Sequence, residues 1–213
     1  PPPATLPAWA FEPARSPAPV RAAMTASGLP GAKALPGEGL PPEEAMRRGT
    51  LVHRLLEDLP HLEDSARADA APLILHAADP DLPDPVAREL VTQALGLLGR
   101  AELRPLFGPG TLPEVGVAAD LPGHGPFHGI IDRLILSETH VHAIDYKTNR
   151  SLPAASHQIP LGILAQMGAY ALALKQVYPA HVLRLSILWT HDGTLMDVPE
   201  HLALQALANA ASS

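Results

Sequence analysis

The first half of the chain carries apolar residues at helical spacing. Pro42 suits the first turn of a helix, and Glu43 and Glu44 behind it favour the positive end of the helix dipole. Two weaker helices are predicted near 62–78 and 84–99, each bounded by Asp and Pro residues. The helix that starts at Pro42 is the clearest, because its apolar residues recur every three or four positions: Leu51, Val52, Leu55, Leu56 and Leu59. These elements indicate an all-helical lobe.

The second half changes to short apolar runs that are typical of strands. Glu114 to Ala119 is a short candidate. Phe127 to Leu136 and Val141 to Lys147 are stronger candidates, and residues 137–140 join them in the manner of a hairpin loop. This part of the sequence therefore predicts three consecutive strands.

A helix and two further strands follow. Leu161 to Tyr178 has its apolar residues on one stripe and is predicted as a helix. Val182 to Trp189 is a predicted strand, and Thr194 to Val198 is a short one after a turn at 191–193. A last amphipathic helix begins after Pro199. The predicted order of the second half is βββαβ(β)α.

Residues 1–42 differ in composition from the rest of the chain. They hold 11 of the 25 prolines and show little hydrophobic periodicity. Proline fixes φ and removes a backbone donor, so such a stretch favours neither a stable helix nor a central strand. We interpret it as a linker or surface arm, and its start without Met suggests a piece of a longer protein. The domain would be 43–213, with a helical lobe at 43–108 and an α/β core at 109–213.

The composition predicts a globular protein outside the membrane. Hydrophobic residues make up 46% of the chain and charged residues 17%. No apolar run reaches the ~18–20 residues of a membrane span, and the proline-rich start does not resemble a signal peptide. The absence of cysteine excludes disulfides and thiolate metal sites, which agrees with a cytoplasmic setting.

The formal net charge of −7 argues weakly against DNA binding. Contact with phosphates normally needs an electropositive surface. Carboxylates that bind a metal, however, count as negative in the sequence although cations cover them in the working site. Other domains or subunits could also supply affinity for the strand, so the charge decides little.

Two of the apolar strands in the second half carry candidate catalytic residues: Asp132, Asp145 and Lys147. Asp132 interrupts the run Ile-Ile-Asp-Arg-Leu, where a carboxylate is expensive to bury unless it is paired or bound to metal. Asp145 and Lys147 project to one face of the next strand, with α-carbons ~7 Å apart. A hairpin can bring Asp132 and Asp145 together. Converging carboxylates repel each other unless a cation lies between them, and hard oxygen ligands favour Mg²⁺ or Mn²⁺.

A lysine beside such a metal has a use in phosphodiester hydrolysis. The metal lowers the pKa of a bound water and neutralises phosphate oxygens. Lys147 can orient the water or stabilise charge in the transition state. The alternative is that Asp132–Arg133 and Asp145–Lys147 are ordinary strand charges or salt bridges, and the short pattern taken alone favours that alternative.

Four motifs, in order, resemble the PD-(D/E)XK nucleases of the RecB type. The family has GxxD, DYK(T/S) and QxxxY where this chain has GIID at 129–132, DYKT at 145–148 and QMGAY at 166–170. Upstream, residues 48–57 resemble the family's helical motif with its histidine. The proline-rich N-terminal segment and the residues of the motifs are most similar to those of the C-terminal nuclease domain of the AddA helicase–nuclease subunit. This resemblance implies a restriction-endonuclease-like mixed sheet flanked by helices.

The resemblance also implies a metal site. Asp132 and Asp145 would be carboxylate ligands, Tyr146 would lend its backbone carbonyl, and His53 would be a further ligand from the helical lobe. A lone histidine on an apolar helix is more often a packed residue, so the motif around His53 carries this assignment. Glu114 matches the family's acidic residue on the first strand only loosely.

Three further residues would act beside the metal. Lys147 would be the catalytic lysine. Gln166 and Tyr170, four positions apart and so on one helix face, would line the site and hold the strand or the lysine. His140 and His142 share a strand face and could suggest zinc, but histidines at irregular spacing without cysteines are usually solvated.

The function implied by the resemblance is magnesium-dependent hydrolysis of single-stranded DNA in bacterial double-strand-break repair. The chain has no Walker A motif, so the helicase would lie elsewhere in the same polypeptide, and a second subunit of the AddB type would be a partner. One rival is a catalytically inactive nuclease fold kept for DNA binding or subunit docking, which the intact Asp132, Asp145 and Lys147 disfavour. Another is a phosphohydrolase of small molecules, which the 4% aromatic content disfavours.

Overall fold

The computed structural model describes residues 22–26, 28–33 and 41–210. Within these ranges the chain forms six α-helices and six strands. The helices are α1 (Pro42–Asp58), α2 (Asp64–Ala78), α3 (Asp84–Leu98), α4 (Arg104–Phe107), α5 (Leu161–Val177) and α6 (Glu200–Ala210). The strands are β1 (Met24–Thr25), β2 (Thr111–Leu121), β3 (Gly125–Leu136), β4 (His140–Lys147), β5 (Val182–Trp189) and β6 (Thr194–Asp197).

The six strands form one mixed sheet. β3 pairs antiparallel with β2 and with β4, β4 pairs parallel with β5, and β5 pairs antiparallel with β6. The parallel β4–β5 pair is connected through α5, as a parallel pair requires a crossover rather than a hairpin. The predicted α/β fold, a restriction-endonuclease-like mixed sheet flanked by helices, is confirmed.

Helices cover both faces of the sheet. One hydrophobic cluster joins α1, α2 and α3 to the sheet residues Ile144, Tyr146 and Leu188. The other joins α5 and α6 to the opposite face. Residues that follow one another in β4 therefore belong to different cores, because side chains alternate along a strand. In this three-layer arrangement, successive side chains at the end of β4 face α1 and α5 in turn.

Part of the segment predicted as a linker or arm joins the sheet. Met24 and Thr25 pair parallel with Phe127 and His128 of β3, and Ala26 and Leu29 are buried. Two residues are too short to carry a strand period, so no pattern in the sequence indicated β1. The rest of that prediction falls on residues 1–21, 27 and 34–40, which lie outside the described ranges, and the domain limits remain predictions.

Glycine allows α5 and α6 to cross closely. A Cβ on Gly168 would lie 2.8 Å from the carbonyl carbon of Ala203 and closer still to its oxygen. We expect Gly168→Ala to lower the free energy of unfolding by about 1–3 kcal/mol, because extra volume in a packed interface forces backbone shifts. Denaturant titration measures this change.

Gly96 in α3 is the matched control for this substitution, since a Cβ there has no heavy atom within 4 Å. Gly96→Ala should raise the free energy of unfolding by about 0.5–1 kcal/mol through helix propensity alone. Equal effects of the two substitutions would contradict the close crossing.

No helix among the residues that the structure describes is both long enough and apolar enough to pass through a membrane.

Candidate active site

The strands β3 and β4 separate where the predicted site residues lie. Their ladder ends at the pair Arg133–Ile144, so Asp132 and Asp145 come directly after the last pair. The Asp132 Oδ2 atom accepts a hydrogen bond of 2.6 Å from the backbone N–H of Tyr146. A side-chain carboxylate thus replaces the missing strand partner, and it is held in a fixed position at the split.

His53 and Glu114 converge on Asp132. The Nδ1 atom of His53, brought by α1, lies 2.9 Å from Asp132 Oδ1. Glu114 occupies the position of β2 opposite Asp132, between the pairs Pro113–Arg133 and Val115–Ile131. One ligand atom from each of the three residues lies within 4.8 Å of the others. The motif match of Glu114 was looser than those of the other candidates, but the fold places Glu114 in this group.

The backbone of Glu114 is strained. Its φ is +48°, and among the described residues it is the one non-glycine residue with a positive φ. Such a conformation is uncommon for a side chain that is neither Asn nor Asp, and it persists where the surroundings impose it. Val115 and Val117 pack into the α5 core, while the Glu114 carboxylate reaches Asp132 on the α1 side. This strain accompanies the placement of the Glu114 carboxylate beside His53 and Asp132, in a group that could hold a metal ion.

Asp145 projects to the other side of the sheet and meets residues of α5. Its Oδ1 atom accepts a hydrogen bond of 2.7 Å from Gln166 Nε2, and its Oδ2 atom lies 2.6 Å from Lys147 Nζ. Lys147 Nζ in turn donates to Gln166 Oε1 at 3.1 Å. The predicted sharing of one strand face by Asp145 and Lys147 is therefore present. The Asp145–Lys147 ion pair, which was the alternative interpretation of the sequence, is also present. Gln166 forms hydrogen bonds with both of these residues.

Tyr170 continues this network to β3. Gln166 Nε2 donates to the Tyr170 hydroxyl at 3.1 Å, and the hydroxyl donates to the carbonyl oxygen of Ile130. Burial, and then the charge of Asp145, raise the pKa of Tyr170, so the phenol keeps its proton and remains a donor. Gln166 and Tyr170 thus connect the Lys147 end of β4 to β3 across the split.

Asp145 is 2% exposed. Burial raises its pKa; Lys147 opposes this shift, and the charge of Asp132 adds to it. Asp132 and Asp145 therefore act on each other although their side chains contact different layers. Asp145 Oδ2 accepts no hydrogen bond of regular geometry from any described residue, despite its short ion pair. The ammonium group of Lys147 therefore compensates the charge of this oxygen through an ion pair rather than a regular hydrogen bond.

The donor set fits a divalent cation. An imidazole nitrogen and two carboxylates converge in the His53, Glu114 and Asp132 group, and carboxylate-rich sites suit Mg²⁺ and Mn²⁺. Asp145 is not a member of this group. Metal ligation by Asp145 and by the Tyr146 carbonyl remains a prediction, and so do the catalytic roles assigned from the motifs.

The protonation of His53 opposes metal binding. Burial alone would lower its pKa, but the charge and hydrogen bond of Asp132 outweigh burial and leave the pKa raised. An imidazole must give up its proton to bind a metal. Metal affinity should therefore increase with pH as this proton is lost.

Arg133 is a structural residue whose role the sequence did not reveal. It is 1% exposed, and its Nη2 atom donates to the carbonyl oxygen of Leu56 at 2.7 Å while its Nε atom donates to the Tyr146 hydroxyl at 3.1 Å. Leu56 lies in α1 one turn beyond His53. Arg133 therefore fixes the helix that carries His53 onto the strand that carries Asp132. The signal in the sequence was an arginine inside an apolar run.

Lys33 is a second residue that sequence reasoning missed. It lies in the segment predicted as a linker, and its backbone carbonyl accepts a hydrogen bond of 3.3 Å from Asn149 Nδ2. Burial, and then the charge of Lys147, lower the pKa of Lys33. A second cationic group therefore lies within electrostatic reach of Lys147.

His140 and His142 do not share a ligand position. His140 Nδ1 bonds the hydroxyl of Thr139 at 2.7 Å, and His142 Nε2 bonds the hydroxyl of Ser186 at 2.8 Å. Ser186 donates onward to Asp197 at 2.7 Å. This chain of hydrogen bonds accounts for the part-buried His142 without a metal.

His142 should make stability depend on acid. Burial, and then the charge of Arg184, lower the pKa of His142 to about 4, so the unfolded chain takes up this proton before the folded chain does. We expect stability to fall as pH decreases from about 6.5 to 4. His142→Gln should make the melting temperature less dependent on pH in this interval, and an unchanged profile would refute the assignment.

Comparisons with known proteins bear on the family. The model of the PD-(D/E)XK nuclease superfamily matches residues 32–204, a range that includes every residue of the site. A search of curated proteins found no match. Among solved structures, the crystal structure of SSO0001 is similar at 15% identity, covering 76% of this chain and 74% of that chain with a TM-score of 0.32.

Proposed function

Because the chain belongs to the PD-(D/E)XK nuclease superfamily, we propose that it hydrolyses phosphodiester bonds of single-stranded DNA with Mg²⁺. We further propose that it is the nuclease part of a bacterial helicase–nuclease that acts on double-strand breaks. The observation that carries the proposal is the split between β3 and β4. There the metal-ligating group of Asp132 adjoins the Asp145–Lys147–Gln166 network.

The residues around the split divide the work of hydrolysis. His53, Glu114 and Asp132 would hold a divalent cation, which would supply charge neutralisation at the phosphate and activation of water. Water oxygen forms the new bond to phosphorus, and the bond to the leaving sugar oxygen breaks as that oxygen gains a proton. Lys147 stabilises the negative charge that grows on the phosphate oxygens or orients the water.

The network around Lys147 fixes its position. Asp145 and Gln166 contact Lys147 Nζ at 2.6 and 3.1 Å, and Tyr170 holds Gln166. A lysine side chain has many rotamers, and restricting them before the substrate arrives lowers the entropic cost of reaching the transition state. Gln166 and Tyr170 therefore act as positioning residues in this mechanism.

The proposals of a single-stranded DNA substrate and of a helicase partner are based on the motifs that resemble RecB-type nucleases. Support comes from the net charge of −7, which is unsuited to a protein that must capture DNA unaided. A helicase in the same polypeptide and a second subunit of the AddB type would deliver the strand, because tethering can raise its local concentration to about millimolar.

This arrangement predicts that the chain alone is a poor nuclease. Its deficit should appear as a raised KM rather than a lowered kcat, since tethering replaces affinity and leaves the chemical step unchanged. The measurement is kcat/KM on single-stranded DNA for the isolated chain and for the complete helicase–nuclease complex. Equal values in moderate salt would contradict the prediction.

The substrate is tested by cleavage of labelled oligonucleotides of one sequence, offered as single-stranded DNA, double-stranded DNA and RNA, each with Mg²⁺ or Mn²⁺. The proposal expects the fastest cleavage on single-stranded DNA with Mg²⁺. Cleavage of RNA alone would contradict the substrate. Binding of DNA without cleavage under every metal condition would favour an inactive docking module.

A further inference from the structure

A cleft of about 890 Å³ adjoins the candidate active site. It lies between α1, α3 and the end of β4, and both His53 and Lys147 line it. Its charged lining residues are mainly basic, with Glu57, Glu89 and Glu114 as the acidic members. The basic members are Lys33, Arg48, Arg54, Lys147 and Arg150. Within this lining, basic residues therefore outnumber acidic ones, although the whole chain has a net charge of −7.

Two arginines in this cleft share one carboxylate. Arg48 Nη2 lies 2.5 Å from Glu89 Oε1, and Arg150 Nη2 lies 3.2 Å from the same oxygen. Glu89 remains about half exposed, with 48% of its side chain accessible. The hydrogen bond from Arg48 lowers the pKa of Glu89, and the charges of Arg150 and His191 act in the same direction. Two guanidinium groups therefore share one oxygen of a half-exposed carboxylate.

The backbone sets this arginine pair close to the metal-ligating group. A Cβ on Gly49 would lie 3.2 Å from the Thr148 hydroxyl, so α1 runs close to the chain that leaves β4. Arg48 precedes His53 on α1 by about 7.5 Å of helix rise. Arg150 follows Lys147 after two intervening residues. Both arginines thus line the same cleft as His53 and Lys147.

We propose that Arg48 and Arg150 together bind one backbone phosphate of the nucleic acid, next to the phosphate that is cleaved. Glu89 occupies the position of that phosphate when no strand is bound, and the strand displaces it. The inference rests on the proposed function, because it takes the substrate to be a nucleic acid. It adds a binding subsite and a competing carboxylate to that function.

The chemistry of the cleft favours the sugar–phosphate backbone over the bases. A guanidinium presents N–H donors in a fork that matches phosphate oxygens. Base stacking needs exposed aromatic rings, but Tyr146, the Phe/Tyr/Trp residue in this lining, is 2% exposed. Binding should therefore tolerate any sequence and depend strongly on salt.

The test measures binding separately from cleavage. A fluorescein-labelled oligothymidylate of twenty nucleotides is titrated by anisotropy with Ca²⁺ in place of Mg²⁺, and a gel verifies that it stays intact. R48A/R150A should weaken binding by about 10-fold, as expected for the loss of a charge-assisted contact. The slope of log Kd against log salt should fall by about 0.7, the value for one phosphate on a single strand.

E89Q gives the opposite and more discriminating result. Removal of the competing charge should tighten binding by about two- to fivefold, the equivalent of a surface ion pair. R47A is the matched control, because Arg47 lies next to Arg48 but pairs with Asp79 and does not line the cleft. Its binding should equal that of the wild type. R150A alone serves if the double variant fails to fold, since 46% of the Arg150 side chain is exposed.

Three outcomes would overturn the proposal: an unchanged Kd and salt slope in the arginine variants, no tightening in E89Q, or equal weakening in R47A. Cleavage of labelled DNA by the wild type with Mg²⁺ separates this failure from failure of the proposed function. Cleavage with unaltered binding in the variants rejects only the phosphate subsite. The expected binding changes without any cleavage reject only the nuclease activity, and a wild type that neither binds nor cleaves rejects both.

Discussion

Replacement of Lys147 by alanine should slow DNA cleavage by about 100- to 1000-fold, the usual cost of a preorganised charge in the transition state. The ammonium group of Lys147 is held at 2.6 Å from Asp145 and 3.1 Å from Gln166, so it is in place before the substrate binds. Metal affinity should be nearly unchanged, because a lysine ammonium has no lone pair to offer a cation. Single-turnover cleavage and calorimetric titration with Mn²⁺ measure the two effects.

Lys147→Ala also leaves the buried Asp145 without its ion-pair partner and should lower the stability of the fold. Lys147→Gln retains a hydrogen-bond donor for Asp145 and should show the same loss of cleavage. Lys175→Ala is the control, since Lys175 also forms an ion pair, with Glu200, but lies outside the site. Full activity in both Lys147 variants would exclude the catalytic assignment.

Asp132→Asn should lower both metal affinity and cleavage. The amide oxygen can still accept the hydrogen bond from the Tyr146 N–H, so the split between the strands should keep its shape. The substitution removes a negative ligand from the group with His53 and Glu114. Changes outside the ligand shell typically cost 10- to 100-fold in metal affinity, and loss of a direct ligand should cost at least about as much.

In the metal-free protein the same substitution removes the repulsion of Asp132 from Glu114 and Asp145, but it also removes the ion pair with His53, so the response to the metal is the more informative measurement. Thermal melting with and without Mn²⁺ therefore distinguishes a ligand from a purely structural residue. The stabilisation by Mn²⁺ seen for the wild type should be greatly reduced in Asp132→Asn. Asp197→Asn, which alters an exposed carboxylate paired with Arg184, should leave that stabilisation intact. Equal stabilisation of Asp132→Asn and the wild type would show that Asp132 is not a ligand.

The elements of the fold follow from local patterns. Helical spacing of apolar residues predicted α1 and α5, and alternation predicted that Asp145 and Lys147 share a face of β4. These features depend on residues close in the sequence, so a pattern can report them. The motif around His53 also carried the expectation that α1 would reach the sheet, and the 2.9 Å contact with Asp132 fulfils it geometrically.

Other features depend on residues far apart in the sequence and could not be predicted. Glu114 lies beside His53 and Asp132 because β2 pairs with β3 in a register that sets Glu114 opposite Asp132. Its positive φ could not be predicted from the residue type. Arg133 bonds to Leu56 across many intervening residues. Lys33 lies in a segment that was predicted to be a linker because of its many prolines, so no contact with the site was expected.

The approach of Asp132 and Asp145 was also foreseen only in part. A hairpin predicts that two carboxylates come near each other, but not that one joins α1 and the other α5. That division arises because the β3–β4 ladder ends at Arg133–Ile144, so the two side chains leave the split in different directions. As a result, the group of His53, Glu114 and Asp132 lies on the α1 side of the sheet, and the network of Asp145, Lys147 and Gln166 lies on the α5 side.

Metal-dependent DNA cleavage at this site is tested most directly by removing and restoring the ion. Purified protein is treated with EDTA, dialysed and mixed with end-labelled single-stranded DNA, and cleavage is followed before and after addition of Mg²⁺. We predict no cleavage without the ion and full recovery on its return, with the Asp132→Asn variant inactive in both conditions. Cleavage that persists in EDTA, or an Asp132→Asn variant as active as the wild type in Mg²⁺, would contradict the assignment of the site.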